Sequence, residues 1–209
     1  MRILIYLFDG VTALDAIGPY ESLSRLPGVG IRFVGRRAGP VRTGDGFLGL
    51  NADTGIDDES EADMLIVPGG KRHGVQRETA DEALLAWLAA LDAVSTRTCS
   101  VCTGSLILGA AGLLQGRRAA THWGAREYLS HFGATYSGER VTEDGKYLTS
   151  AGVSAGIDLG LRLCAEIAGR EVAEAVQLSM EYDPDPPFAA GNFADATPER
   201  LAAVAKLRI

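Results

Sequence analysis

The chain has 209 residues, 46% of them hydrophobic and 22% charged, enough to close one generous domain or two small ones around a core. Twenty Lys and Arg against 27 Asp and Glu leave a net charge of −7 without a basic cluster, which speaks against nucleic acid and membrane surfaces as partners. Three cysteines, an odd count, argue against a disulfide framework, and no Cys/His spacing resembles a zinc site, so no metal is expected.

The N-terminal "RILIYLF" (2–8) is a continuous apolar run, too short to span a bilayer and without a cleavable signal. It predicts a buried first strand and a cytoplasmic protein. "DGVTALDAIGPYESLSRL" follows as a loop leading into a helix, and "IRFVGR" (31–36) as a second strand. The stretch 39–54, alternating around Gly-Asp-Gly, predicts a β-hairpin arm. "ADMLIVPGG" (62–70) predicts another buried strand stopped by Pro-Gly-Gly. A helix is expected over 80–93, a strand over 96–101, and a helix over 103–116 with Gly116 as its stop signal. Residues 117–123 predict a short strand and 124–133 a short helix. The stretch 140–152 reads as a hairpin around Asp144-Gly145, and 154–169 and 170–182 as two closing helices. No repeat, low-complexity tract or long linker interrupts the pattern. Apolar strands separated by helices predict one flavodoxin-like α/β domain over 1–209: a doubly wound, mainly parallel sheet with helices on both faces and small hairpin additions.

In such a sheet, ligands bind beyond the carboxyl ends of the strands. Three loops meet there: the Asp9–Asp15 loop, "PGG" and "CTGS". Cys102 sits where a strand turns into a helix, as the nucleophile of a Gly-x-Ser-x-Gly elbow does, and Gly104 lets the helix pack closely. A helix N-terminus favours thiolate, so Cys102 is assigned as nucleophile over the alternative of a small residue filling a turn. Asp15 is either a helix N-cap or the carboxyl group serving the thiol, and both are compatible with one residue. Gly69 and Gly70 form a turn whose amides could donate to a developing charge. His122 is the lesser candidate for chemistry and Trp123 a pocket wall or core plug, the two together lining a substrate pocket. Cys99 and Cys164 lie in apolar contexts and read as inert. The acidic stretch 57–63 reads as a solvated connection, and "YDPDPPF" as rigid chain covering a pocket mouth or a partner.

"FDGVTALDAIGP", "IVPGG", "SVCTGSLILGAAGLLQGRRAATHW", "GVSAGIDLGL" and "QLSMEYDPDPPFAAG" occur in the order found in the ThiJ/PfpI superfamily, which is related to glutamine-amidotransferase domains. The chain resembles that superfamily over nearly its whole length, and within it the isonitrile-hydrating members. The resemblance implies a cofactor-independent hydro-lyase, a homodimer acting on a small molecule, whose cysteine adds to an isonitrile and hydrates it to an N-substituted formamide. By motif it implies Cys102 as nucleophile, Asp15 as its acidic partner, Thr103 as the threonine beside the nucleophile and Gly70 as a backbone donor. "AGNFADATPE" departs from the family's C-terminal pattern. A glyoxalase- or amidase-like hydrolase is the second expectation. It ranks lower because such members carry His after the nucleophile or Glu in the acid position, where this chain has Thr103 and Asp15. A cysteine redox or ligand sensor is the third. The regulators of the superfamily carry a helix-turn-helix extension, for which the chain leaves no room before Ile209.

Overall fold

The structure, a computed structural model, describes residues 1–207. From the N-terminus, β1 (Arg2–Tyr6) leads through a loop into α1 (Ala13–Leu23) and then β2 (Gly30–Gly35). The hairpin β3 (Gly39–Arg42) and β4 (Gly49–Ala52) follows, then β5 (Thr54–Gly55) and β6 (Met64–Val67). Two helices, α2 (Arg72–Glu78) and α3 (Glu82–Val94), precede β7 (Arg97–Val101) and α4 (Gly104–Ala110). Next come β8 (Arg118–Ala119), a 3-10 stretch over Trp123–Phe132, β9 (Thr135–Tyr136), β10 (Val141–Asp144) and β11 (Tyr147–Ser150). The chain closes with α5 (Ala155–Ala168), α6 (Arg170–Ser179) and α7 (Pro198–Val204).

Seven strands form one sheet in the order β10-β11-β7-β6-β1-β2-β5. All its pairings are parallel except β10 with β11. The central strands read "RILIY" and "MLIV" because both faces are covered: Ile3–Tyr6 and Leu65–Val67 are fully buried. The order explains how they are covered. From β1 the chain steps outward to β2, and from β6 it steps the opposite way to β7. Right-handed crossovers therefore place α1 and α3 on opposite faces. α1 packs on α5 through small residues: a Cβ on Gly160 would lie 3.1 Å from the Pro19 Cα, and one on Gly18 3.3 Å from the Ile157 backbone. This close crossing fixes α1 against the segment that follows β11.

Both predicted hairpins form, with β3 paired to β4 and β10 to β11. The helix expected over 103–116 is shorter. It ends at Ala110 because Gly112, at φ +78°, closes a Schellman motif: the Gly112 N–H donates to the Gly109 carbonyl (2.9 Å) and the Leu113 N–H to the Leu108 carbonyl (3.1 Å). The stop signal is therefore Gly112, and Gly116 serves a second turn. Of the strand expected over 117–123 only Arg118–Ala119 pairs, with β9. The expected short helix after it is a 3-10 stretch. No described helix is long and apolar enough to cross a membrane.

Candidate active site

Cys102 directly follows β7 in the left-handed region, at φ 57°, a conformation that costs a side-chain-bearing residue of order 1 kcal/mol or more. Four hydrogen bonds hold it there. Its N–H is shared between the carbonyls of Ser150 (3.1 Å) and Ala151 (3.0 Å). Its carbonyl accepts from the Ser105 hydroxyl (3.2 Å) and the Thr121 hydroxyl (3.1 Å). Gly104 permits the turn into α4, since a Cβ there would fall 2.0 Å from the Val67 carbonyl oxygen. The side chain is 5% exposed.

Asp15 is fully buried, the third residue of α1. It is not the N-cap: Thr12 holds that position, without a side-chain cap bond, and the Asp15 carboxyl turns inward to the Gly69 amide. Its Oδ2 accepts the Gly69 N–H at 3.0 Å, while Oδ1 is buried with no hydrogen-bond partner among the described residues. Burial raises the Asp15 pKa from 3.8 to about 7, with the Cys102 thiol and the Gly69 N–H pulling the other way. Burial, followed by the Asp15 charge, pushes the Cys102 thiol up to about 12 against backbone N–H groups of Val153 and Thr103 that lower it. The expectation of a resting thiolate is thus reversed. α4 has only seven residues, and its dipole is outweighed by the loss of water around the sulfur. The resting pair is a neutral thiol beside a carboxyl group that titrates near neutrality.

The glycine amides expected to face a developing charge are engaged elsewhere. The Gly69 N–H holds Asp15, and the Gly70 N–H donates to Thr103 Oγ1 at 3.0 Å. The Thr103 hydroxyl reaches back to the Gly70 carbonyl at 3.4 Å, so Thr103 ties the Pro-Gly-Gly loop to the elbow. No side chain fits at Gly69, whose Cβ would lie 2.5 Å from the Thr103 nitrogen and 3.0 Å from Asp15 Oδ2.

His122 caps the 3-10 stretch, its Nδ1 accepting the Gly124 N–H at 3.2 Å, which leaves the proton on Nε2. Burial lowers its pKa, so the ring is neutral. It lies against Gly152, where a Cβ would meet the ring at 2.6 Å. Trp123 stacks on Phe193 of the tail (4.9 Å, 11° between planes), and Arg126 sits over the same Phe193 ring at 4.5 Å. Trp123 and the tail line an open cleft with Asn192, Phe193, Arg200 and Leu201, which Cys102 and Asp15 do not line. Cys99 and Cys164 are buried thiols with pKa values raised by burial to about 12 and about 11. Among the described residues no three His, Cys, Asp or Glu side chains gather as a metal-binding group. Sequence reasoning missed Ser105, Thr121, Ser150 and Val153. Thr121 stands in the quoted "ATHW", but its partner lies 19 residues back in the chain.

A family model described as the DJ-1/PfpI family matches residues 1–166. The chain is similar to the isonitrile hydratase of Pseudomonas putida, 41% identical over 208 residues, covering 100% of this chain and 90% of that protein. It is similar to a THiJ/PfpI family protein from Pseudomonas syringae, whose crystal structure superposes with a TM-score of 0.93 at 38% identity, covering 98% of this chain and 84% of that one. The transcriptional regulator CdhR of Pseudomonas aeruginosa is 36% identical over 149 residues, 69% of this chain and 42% of that protein.

Proposed function

The chain belongs to the DJ-1/PfpI family, and from that premise we propose that it hydrates isonitriles, R–N≡C, to N-substituted formamides, with Cys102 as nucleophile and Asp15 as the group that moves protons. The observation that carries this reading is the Asp15–Cys102 pair. A carboxyl group with a pKa near 7 and one oxygen free of hydrogen bonds stands beside a neutral thiol in a dry site. Full-length similarity to a named isonitrile hydratase supports the substrate class.

The chemistry of the isonitrile carbon fits this pair. Attack by sulfur leaves an electron pair on that carbon, so the step needs a proton delivered there rather than an oxyanion hole. The Asp15 carboxylate takes the thiol proton, sulfur bonds to carbon, and the Asp15 carboxyl group gives the same proton to that carbon, forming a thioimidate, R–N=CH–S. The Asp15 carboxylate then takes a proton from water, whose oxygen adds to the carbon, and passes that proton to the nitrogen, giving R–NH–CH(OH)–S. Collapse breaks the C–S bond and releases R–NH–CHO as the hydroxyl proton moves, through Asp15, to sulfur. The Gly69 and Gly70 amides, engaged with Asp15 and Thr103, serve as supports for the carboxyl group in this scheme. Thr103 orients Asp15 at one remove, by fixing the loop that supplies Gly69. His122 is assigned to the wall that meets the R group, whereas Trp123, expected there as well, lines the tail cleft that Cys102 and Asp15 do not line. The reaction as written uses no metal, flavin or nucleotide, and the protein works in the cytoplasm as a homodimer in this reading.

The test is absorbance-monitored conversion of an aryl isonitrile to its formamide by the native protein, Cys102→Ala and Asp15→Asn. Native turnover is expected, with each variant reduced by about a thousandfold or more. A folded native protein that leaves isonitriles untouched but consumes methylglyoxal would replace this reading with the glyoxalase-like one. Light scattering at the mass of one chain would remove the dimer from it.

A further inference from the structure

The Cys102–Thr103 peptide is held from one side only by hydroxyl groups. The Cys102 carbonyl accepts from Thr121 Oγ1 at 3.1 Å and Ser105 Oγ at 3.2 Å, and both side chains are fully buried. A peptide unit is planar, with its C=O and N–H pointing in opposite directions. Whatever fixes the oxygen therefore fixes where the Thr103 N–H points. We infer that Thr121, assisted by Ser105, is a positioning residue that acts through the Cys102–Thr103 peptide to aim the Thr103 N–H at the Cys102 sulfur.

Three observations converge on this role. The Thr103 N–H is one of the two backbone groups that favour the charged form of the Cys102 thiol, the other being that of Val153. The Gly69 and Gly70 amides are engaged elsewhere, which leaves these two to receive charge developing on sulfur. Cys102 sits at φ 57°, a conformation that persists only where surrounding contacts over-determine it, and a flip of the following peptide is one way to relax it. Two hydroxyl donors on the carbonyl oppose that flip. They also polarise the amide, making its N–H a stronger donor. Thr121 is itself well anchored, since the preceding Ala120 N–H donates to the Thr149 hydroxyl of β11 at 2.8 Å. The hold thus joins the elbow to a distant segment of chain, whereas Ser105 acts from the first turn of α4.

The inference rests on Cys102 as nucleophile but not on the identity of the substrate, so it is tested without one. The rate of Cys102 alkylation by iodoacetamide at pH 8, followed by mass spectrometry of the Cys102 peptide, is compared for the native protein, Thr121→Val, Thr121→Ser and Ser105→Ala. Thr121→Val keeps the shape and removes the donor. It is expected to slow alkylation about tenfold, the effect of about one pH unit in the thiol's ionisation, and Thr121→Ser to restore the rate to within about twofold. Simple loosening of the fold would do the reverse, because it exposes a thiol that is now 5% accessible. A Thr121→Val rate equal to or above that of the native protein overturns the inference, as does a Thr121→Ser rate as low as that of Thr121→Val. Should Thr121→Val fail to fold, Ser105→Ala decides: about threefold slowing upholds the role, and a native rate rejects it. Isonitrile turnover measured alongside separates the two readings, since a native protein without turnover can still show the alkylation pattern.

Discussion

Asp15 binds its proton more tightly when the chain is folded than when it is unfolded, with a pKa of about 7 against 3.8. Between about pH 4 and pH 7 the unfolded chain has lost that proton while the folded chain keeps it. Stability therefore falls as pH rises through this window and levels off above it, by roughly 4 kcal/mol for about three pH units. Asp15→Asn removes the charge that causes the loss. Urea unfolding should show the variant more stable than the native protein at pH 8 and close to it at pH 4.5, although turnover is abolished. An equal change at both pH values would mean that the buried charge is not the cause. The same titration governs activity. The carboxylate must be present to accept the thiol proton, so kcat/KM for an isonitrile should rise with pH to a midpoint near 7 and stay level up to at least pH 9. At this scale the sequence reveals the thiol at its corner and the nearby carboxyl group. It does not reveal the direction of their pKa shifts, because desolvation depends on side chains brought in from four separate segments.

At the scale of elements, the approach of α4 to β6 is the tightest constraint. An alanine Cβ at position 104 would lie 2.0 Å from the Val67 carbonyl oxygen and 2.8 Å from its carbon, both backbone atoms with little freedom to move. Gly104→Ala should lower the unfolding free energy by about 3 kcal/mol, read from urea titration, and carry the elbow out of position with it. An effect below about 1 kcal/mol would show that helix and strand can separate without cost. The core strands are legible in the sequence because a parallel strand buried on both faces must be apolar throughout, as "RILIY" and "MLIV" are. α2 escapes notice for the opposite reason: "RHGVQRE" places only Gly74, Val75 and Glu78 in the interior and shows no apolar stripe. α7 buries no residue, yet its start carries a readable signal, Thr197 as N-cap followed by Pro198. The misplaced end of α4 reflects two glycines competing for one role; both take positive φ, and the hydrogen bonds that close the helix at Gly112 distinguish them.

For the molecule as a whole, the alternation of strands and helices is enough to predict a doubly wound sheet and the end of it where chemistry gathers. The tail is where that legibility stops. Its Phe193 ring meets both Trp123 and Arg126 of the body, and no periodicity announces such a contact. Phe193→Ala should release it at a cost of about 1 kcal/mol, seen as roughly fivefold faster tryptic cleavage at Arg200 with the melting temperature of the body unchanged. Unaltered cleavage would mean that the tail is held by other contacts. The bonds on Cys102 have a consequence for how the protein is made. The N–H of this residue is satisfied by Ser150 and Ala151, which leave the ribosome almost fifty residues later. Until β11 docks beside β7, the elbow has no acceptors on that side and Asp15 faces an incomplete wall. A nascent or truncated chain therefore carries an exposed cysteine without the burial that raises its pKa, and both its shielding and its partnership with Asp15 arrive only with the last strand of the sheet. Synthesis thus passes through an interval in which the thiol is open to the cell's electrophiles, and docking of that strand both shelters the nucleophile and gives it a site.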